Sequence, residues 1–370
     1  MTPAPPQRPA HLAASELGTK EYWDRLYATE LANHTSNPDD TGTVWFDDAD
    51  AEAKMVQFLC KTWQVKYDSD DDDADNGNDY DDDDKVDNDD HGGANAHPQS
   101  PPPSPRTVLD LGCGNGALLR AVRRALFAGQ RSVGGGADNH IHPLKPPRLL
   151  GVDYSEASIA LARSIAEAED AEESEVAQMA EVAEEGGSKN RGPRIPIQFA
   201  VWDVLRGAAA DLVSPDAPST AIDTGAGEGV ATWDLILDKG TFDAISLGHA
   251  APVGTPSEGG GDDGENNSNV ENGDVNGVPS VEARYRSQVL RLLQPGGRFL
   301  ITSCNWTEAE LCAWMEGDDD DEKENGTQTS PPGEHARLEK VGRVAYPRFQ
   351  FGGVQGQAVC TVCFAKRIRS

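Results

Sequence analysis

The sequence predicts an α/β fold in which one doubly wound, mostly parallel sheet is flanked by helices. First, short β-rich runs alternate with helical segments along most of the 370 residues, as in parallel βαβ units. Second, the last two β-rich runs are joined without a helix, which indicates an antiparallel hairpin at the edge of the sheet. Third, a hydrophobic content of 37% is low for a globular chain and favours one core diluted by inserts.

Two helices are predicted ahead of the first strand. In residues 15–31, Trp23, Tyr27 and Leu31 fall near helical spacing and so form one apolar face. Residues 49–66 form the second helix.

The βα units then follow in chain order. An apolar run at 107–112 ends in glycine, and an amphipathic helix is predicted at 117–127. A strand at 148–153 leads into a helix over 154–169, with Ser155 as its predicted cap. Strands are also predicted at 195–203, 233–240 and 298–304, a helix at 281–293 that stops at Pro295-Gly296-Gly297, and hairpin strands near 339–346 and 358–366.

A Pro-rich tail at 1–14 precedes a single domain over 15–370 that low-complexity inserts interrupt. The inserts are 67–105, 129–146, 167–192, 206–231, 252–279 and 316–335. They carry the net charge of −31, since 67–105 alone holds fourteen Asp and one Lys. Such runs repel themselves and bury nothing, so we expect long disordered acidic loops. A calcium site in 70–90 is the alternative, but the Asp-x-Asp-x-Asp-Gly pattern ending in Glu is missing, and no metal site is predicted.

Charge and hydropathy exclude two classes of function. A net charge of −31 excludes a nucleic-acid binder working by bulk charge, because phosphate contacts need a basic surface. No apolar run approaches the roughly 18–20 residues that span a bilayer, and the N-terminus has no signal-peptide core. We therefore expect a cytoplasmic protein, with nuclear presence also compatible, and reduced cysteines.

Cys360 and Cys363 form a C-x-x-C pair, but the sequence has no second pair to complete a zinc site. Within a strand these two side chains face opposite sides of the sheet, so we expect them to be core thiols.

The strongest chemical signal is the run VLDLGCGNGALL at 108–119. Gly112, Gly114 and Gly116 lie between an apolar strand and a helix. Glycines let backbone amides approach a ligand, and the helix N-terminus adds positive potential. The G-x-G-x-G spacing differs from the dinucleotide fingerprint G-x-G-x-x-G. With Asp110 two residues ahead, it suits a ligand with an amino-acid tail and an adenosine; a plain tight turn is the alternative.

Two further carboxylates follow at the ends of the next two strands. Asp153 is placed to accept both hydroxyls of a ribose, and we expect its neighbour Tyr154 at the same ligand. Asp203 can accept from an adenine amino group while Val204 packs on the ring. Each signal is weak alone, because Asp153 also fits a helix cap and Asp203 a simple turn.

Together these strand ends resemble motifs I to III of the class I, seven-strand, S-adenosylmethionine-dependent methyltransferases. The resemblance covers the whole core and fits the terminal hairpin. It implies a Rossmann-like seven-stranded sheet and S-adenosyl-L-methionine as the cofactor. The implied cofactor contacts are Asp110, Gly112, Gly114, Gly116, Asp153, Tyr154, Asp203 and Val204.

Further stretches look like the lysine methyltransferases that act on translation elongation factor 1-alpha. They are LGTKEYWDRLYATEL (17–31), VWFDD (44–48), LDKGTFDAISL (237–247), LITSCNW (300–306) and YPRFQFGGVQG (346–356). In relatives of this group, a YWD-x-x-Y helix lies over the cofactor, which implies cofactor contacts at Trp23 and Tyr27. Core packing is the alternative role for Trp23. The long inserts depart from the compact pattern of the family.

The fourth strand ends in Asp238-Lys239-Gly240-Thr241. Amino-methylating nucleic-acid enzymes carry an Asn/Asp-Pro-Pro-aromatic tetrad at this position, and its absence disfavours nucleobase methylation. The resemblance implies that Lys239 lines the cofactor site; the alternative is a solvated lysine paired with Asp243. Asp238 is a candidate to meet the methionine ammonium or to orient the incoming amine. Trp306 is a candidate wall that keeps the substrate lysine neutral by desolvation, or a core residue.

The sequence therefore predicts a monomeric protein-lysine N-methyltransferase that mono- or dimethylates elongation factor 1-alpha, without contacting nucleic acid or membrane. Its catalytic candidates are Asp238, Lys239 and Trp306. One rival is a class I methyltransferase acting on another protein or a small molecule, because cofactor motifs do not define the acceptor. Another is a non-enzymatic binding protein that uses its acidic loops, which the intact glycine loop, Asp153 and Asp203 disfavour.

Overall fold

The computed structural model describes residues 9–64, 104–127, 147–183, 195–212, 232–248, 279–317, 335–351 and 354–369. The predicted tail 1–14 is described only from residue 9. The inserts predicted at 67–105, 129–146, 252–279 and 316–335 lie outside the described residues apart from a few terminal positions, as does the calcium alternative in 70–90.

A seven-stranded sheet with the order β3-β2-β1-β4-β5-β9-β6 forms the centre of the fold. Its strands are β1 (Thr107–Leu111), β2 (Arg148–Asp153), β3 (Ile197–Val201), β4 (Trp233–Lys239), β5 (Leu293–Ser303), β6 (His335–Val344) and β9 (Cys360–Arg369). β1 to β5 pair in parallel, whereas β9 is antiparallel to both β5 and β6. The predicted fold class, with its terminal antiparallel pair, is confirmed. Two short strands between β6 and β9, β7 (Phe349–Phe351) and β8 (Val354–Gly356), form a separate hairpin.

Helices cover both faces of this sheet. They are α1 (Lys20–Ser36), α2 (Ala51–Trp63), α3 (Ala117–Phe127), α4 (Glu156–Ala183), α5 (Thr241–Ser246), α6 (Val281–Leu292) and α7 (Glu308–Glu316). On one face, α2 and α3 bury residues such as Met55 and Leu119 against Leu237 of β4. On the other face, α6 and α7 bury Val289 and Leu311. The short helices α5 and α7 were not predicted, because neither is long enough to show a clear apolar period.

Two predicted inserts begin inside secondary structure. The helix α4 continues to Ala183, so the first part of the insert predicted at 167–192 is helical. Its Ala- and Glu-rich composition resembles a low-complexity linker, but both residues favour helix. The insert predicted at 206–231 begins with a 3₁₀ turn whose Leu212 is buried in the core.

The six cysteines are free. Cys360 and Cys363 are buried in different core clusters on opposite faces of the sheet, as predicted for core thiols in one strand. Within the described residues, no helix combines the length and apolar character needed to cross a bilayer. No group of three or more His, Cys, Asp or Glu side chains in that part of the chain could hold a metal ion.

Candidate active site

The glycine loop after β1 brings the backbone into close contact with its neighbours. Gly112 and Gly114 have φ angles of +61° and +54°. Residues other than glycine rarely adopt this backbone conformation. A Cβ atom at Gly112 would lie 2.1 Å from Oγ1 of Thr241, and one at Gly114 would lie 2.7 Å from the hydroxyl of Tyr27. Both positions therefore need glycine. Gly116 ends the loop, with φ of +76°, next to the start of α3.

A small cavity of about 30 Å³ lies at this loop. Besides residues of the loop, Tyr27, Thr43, Trp45, Asp110 and Lys239 line it. Small-molecule sites usually occupy about 300–1,000 Å³, so this cleft is closed in the present conformation. It has to open before a ligand of the predicted size can enter.

Asp110 gives the cavity an acceptor with a free oxygen. The residue is buried, and its Oδ2 has no hydrogen-bond partner in the described structure. Burial raises the pKa of this carboxyl well above its ordinary value, while Lys239 opposes the rise. A buried acceptor without a partner is costly, so a ligand ammonium would satisfy this site.

Residues 41–46, which we call the cover segment, lie over the cavity. The side-chain amide of Asn115 donates to the carbonyl of Thr41 at 2.9 Å and to that of Thr43 at 3.4 Å. The ammonium of Lys239 donates to the carbonyl of Trp45 at 2.9 Å. Two residues at the glycine loop and the end of β4 thus hold the backbone of the segment that closes the cleft.

The two aromatic residues predicted on α1 take different places. Tyr27 is buried at the cavity, and burial followed by the charge of Asp153 raises its pKa well above the ordinary value. Trp23 stacks behind it, with ring centroids 6.1 Å apart, and meets Trp45 edge-on at 5.2 Å. Trp23 does not line the cavity but supports Tyr27 and the cover segment from behind.

The end of β2 anchors the glycine loop. Asp153 accepts the backbone N–H of Gly114 at 3.2 Å and that of Ser155 at 2.9 Å. The second contact closes a turn just before α4. Ser155, the predicted cap, stands at the position before the helix and its carbonyl accepts the N–H of Ile159, but its hydroxyl has no partner in the described structure. Burial raises the pKa of Asp153, and its backbone hydrogen bonds oppose the rise. Tyr154 lies beside it, half-buried, with the Lys20 ammonium 5.1 Å from its ring centroid.

The end of β3 is the more open part of the predicted site. The carboxylate of Asp203 is 36% exposed and accepts the N–H of Leu205 at 2.8 Å, as in a simple turn. Val204 is buried in the hydrophobic core. Neither residue lines the small cavity, so an adenine contact here requires the cleft to extend towards β3.

Asp238 and Lys239 point to opposite faces of β4, and this corrects one predicted role. Asp238 is fully buried and accepts the N–H groups of Thr241 and Phe242, at 2.8 and 3.0 Å, and the hydroxyl of Tyr285. It caps α5 and has no place at the cavity. Lys239 faces the cavity.

The alternative partner proposed for Lys239 is occupied elsewhere. Asp243 accepts the hydroxyl of Ser303 and the N–H of Cys304. Lys239 is therefore not the solvated lysine of the alternative interpretation.

Trp306 also lies away from the cavity. It is 4% exposed in the core, with ring centroids 6.3 Å from Phe242 and 5.9 Å from Trp314. The structure thus supports its core alternative rather than the predicted channel wall. An aromatic residue just after a strand fits both roles, and only the packing of α7 decides between them.

Three residues of the site were not singled out in the sequence. Asn115 occupies one of the two x positions of the G-x-G-x-G motif. Thr43 and Trp45 belong to a stretch without regular periodicity. The VWFDD resemblance marked this stretch but did not define its role. The seven-stranded sheet with its antiparallel end, and the glycine loop followed by acidic strand ends, form the arrangement of a class I methyltransferase.

The curated proteins similar to this chain are all named as lysine methyltransferases. The chain is 30% identical over 361 residues to the protein-lysine N-methyltransferase EFM4 of Saccharomyces cerevisiae, covering 98% of this chain and 99% of the relative. It is 30% identical over 300 residues to efm4 of Schizosaccharomyces pombe, covering 81% and 80%. It is 26% identical to the EEF1A lysine methyltransferase 2 of Danio rerio, covering 95% and 88%. No family model matches the chain.

The chain therefore belongs to the EFM4 family of protein-lysine N-methyltransferases. This confirms the predicted enzyme class and its cofactor, S-adenosylmethionine. Among solved structures, the N-methyltransferase NodS from Bradyrhizobium japonicum, in complex with S-adenosyl-l-homocysteine, aligns with 14% identity and a TM-score of 0.35 over 93% of this chain and 97% of NodS.

Proposed function

We propose that this chain methylates the side-chain amine of a lysine in translation elongation factor 1-alpha. The observation that carries the proposal is the alignment, over nearly the whole chain, with proteins named EFM4 and EEF1A lysine methyltransferase 2. It favours a protein acceptor over the small-molecule rival. The glycine loop and the unpaired oxygen of Asp110 support the cofactor part of the proposal.

The described residues fit S-adenosylmethionine. The free oxygen of Asp110 suits its ammonium group, and the tight glycine loop leaves no room for side chains beside the amino-acid portion. Asp153 and Asp203 lie in order at the next strand ends, where the ribose hydroxyls and the adenine amino group would be held. When bound, the cofactor supplies a methyl group already activated by its sulfonium.

The protein's own contribution is positioning and exclusion of water. A lysine in solution has a pKa of about 10.4, so the acceptor amine must lose its proton before it can attack. Low-polarity surroundings favour the neutral amine. Tyr27 and Trp45 at the cavity and Phe46, whose ring lies against Gly240, supply such surroundings. These three aromatic residues replace Trp306 as the proposed walls.

Mass spectrometry of purified elongation factor 1-alpha, incubated with this protein and S-adenosylmethionine, tests the proposal. We expect a mass increase of one or two methyl groups on a single lysine. The matched control is Gly114→Ala, in which the new Cβ atom would collide with Tyr27; it should leave the elongation factor unmodified. Methylation of other proteins or of small metabolites instead, with an unmodified elongation factor, would support the first rival and contradict the proposal.

We also propose that the enzyme acts as a monomer in the cytoplasm, where its acceptor works in translation. Sedimentation of the purified chain and cell fractionation test these two points. A stable dimer or an exclusively nuclear protein would contradict them.

A further inference from the structure

A buried carboxylate on α1, outside the predicted site, contacts the cover segment directly. Glu30 is 6% exposed, and its Oε1 accepts the backbone N–H of Thr43 at 2.9 Å. Its Oε2 has no partner in the described structure and lies against Gly42, where a Cβ atom would be 2.5 Å away. Gly42 has a φ angle of +78° and carries no side chain, so the cover segment can turn closely around this carboxylate.

A second residue of α1 holds the start of the same turn. His34 lies four residues after Glu30 and therefore on the same face of the helix. It is buried, and its Nδ1 donates to the carbonyl of Asp40 at 2.9 Å. The side chain of Asp40 in turn accepts the N–H of Gly42 at 3.1 Å. Side chains of α1 thus hold both ends of the turn at 40–43.

Thr43 lines the cavity and is bound from two sides. Its N–H donates to Glu30 of α1, and its carbonyl accepts from the side-chain amide of Asn115 in the glycine loop at 3.4 Å. Both partners are buried, and hydrogen bonds are stronger in such surroundings than in water. The two bonds therefore hold Thr43 between α1 and the glycine loop.

The two elements that meet at Thr43 differ in how firmly they are held. The helix α1 is anchored to α4, because Tyr27 packs with the buried Leu161 and Ile165. Residues 41–44 of the cover segment form neither helix nor strand, and side-chain contacts with their backbone hold them in place. An opening of the cleft therefore moves the cover segment away from α1 and breaks the bond between Glu30 and Thr43.

We propose that Glu30 is a positioning residue that keeps the cover segment closed and so sets the rates at which the cofactor enters and leaves. The cavity of about 30 Å³ must open before the cofactor can pass. The bond between Glu30 and Thr43 joins two parts of the protein, so it stabilises the closed cleft equally with and without cofactor. Such a contact changes the rates of binding but not its equilibrium. The inference concerns the cofactor and does not depend on the acceptor protein.

The test compares Glu30→Met with Glu16→Met as the matched control. Both changes replace a glutamate near α1 with a side chain of similar length, but Glu16 is exposed and lies 3.9 Å from the exposed guanidinium of Arg25. Stopped-flow tryptophan fluorescence measures association of S-adenosylhomocysteine, because Trp45 lines the cavity. A chase of the radiolabelled compound with excess unlabelled compound measures its dissociation.

We expect Glu30→Met to raise both rate constants about tenfold, as for the loss of one hydrogen bond to a carboxylate. The Kd from calorimetry should change by less than about threefold, since both rates rise together. Glu16→Met should leave both rate constants at their wild-type values. Melting curves show that each variant is folded under the conditions of the test.

Two further variants separate this role from general support of the fold. Glu30→Gln keeps an oxygen that accepts the N–H of Thr43, so its rate constants should stay within about threefold of the wild type. Gly42→Ala leaves α1 unchanged but places a Cβ atom against the carboxylate of Glu30, so it should raise both rate constants as Glu30→Met does. It also serves if Glu30→Met does not fold.

Three outcomes would overturn the inference. They are wild-type rate constants in a folded Glu30→Met or Gly42→Ala, a Glu30→Gln protein as fast as Glu30→Met, and a raised Kd with an unchanged association rate. An elongation factor that stays unmodified while these rates change as expected would instead refute the proposed acceptor and leave the role of Glu30 intact.

Discussion

Replacing Asp238 with alanine is expected to destabilise the fold rather than to remove a catalytic group. Its carboxylate accepts from two backbone N–H groups, those of Thr241 and Phe242, and from the hydroxyl of Tyr285. Alanine would leave three buried donors without an acceptor, at a cost of about 1–3 kcal/mol each. Because these losses share one site and overlap, the free energy of unfolding should fall by about 3–5 kcal/mol.

The same carboxyl makes stability depend on pH. Burial raises the pKa of Asp238 from an ordinary 3.8 to about 7, so the folded chain holds this proton more tightly than the unfolded chain. The stabilising contribution is therefore full below about pH 4 and is lost as the pH rises through 7. Between pH 5.5 and 7, this group should lower the free energy of unfolding of the wild type by about 2 kcal/mol. Asp238→Ala should lack that component.

Urea unfolding at both pH values, followed by tryptophan fluorescence, measures these differences. Tyr285→Phe is the matched control, because it removes one of the three donors and should cost only about 1–2 kcal/mol. Cofactor affinity and methyl transfer are measured under conditions where each variant is folded. The structural role would be refuted if Asp238→Ala kept the wild-type unfolding midpoint and cofactor affinity but lost methyl transfer. Asp238 would then be a catalytic residue.

Three further substitutions or deletions test other parts of the site. Asp153→Ala should raise the Kd for S-adenosylhomocysteine in calorimetry at least tenfold, since hydrogen bonds to a charged group contribute about 1.5–3 kcal/mol each. It should also lower the melting temperature, because two backbone N–H groups lose their acceptor; an unchanged Kd would leave Asp153 as a support for the backbone only. Lys239→Met should reduce methylation of the elongation factor about tenfold or more as one charged hydrogen bond is lost, with a nearly constant melting temperature; full activity would contradict its placement in the site. Deleting 67–105 should change kcat/KM less than about tenfold, or 1.4 kcal/mol, and a larger, salt-dependent loss in a folded variant would show that the insert helps to recognise the acceptor.

The sequence predicted the structure correctly where a local pattern of residues is compatible with only one local structure. The strand at 148–153 and the helix at 117–127 have the predicted bounds. The glycine loop is where its spacing placed it, because only glycine adopts those backbone angles without strain. The α/β class and the antiparallel terminal pair followed from the order of the elements alone.

The roles of Asp238 and Trp306 could not be predicted in the same way. Asp238 and Lys239 are neighbours in a strand and must face opposite sides. Which side carries the cleft depends on where α2 and the cover segment pack. Trp306 fits a core or a channel equally well by composition.

The position of β9 also constrains the order in which the chain can assemble. β9 follows β6 in the chain but lies between β5 and β6 in the sheet, with Val362 and Phe364 fully buried. In the described sheet, β6 pairs only with β9. During synthesis, β6 therefore emerges before its only partner exists, and it waits with unpaired backbone groups until residues 360–369 follow. Unpaired edge strands are prone to aggregate, so the hydrogen bonds between β6 and β9 protect this end of the sheet only once the last strand is in place.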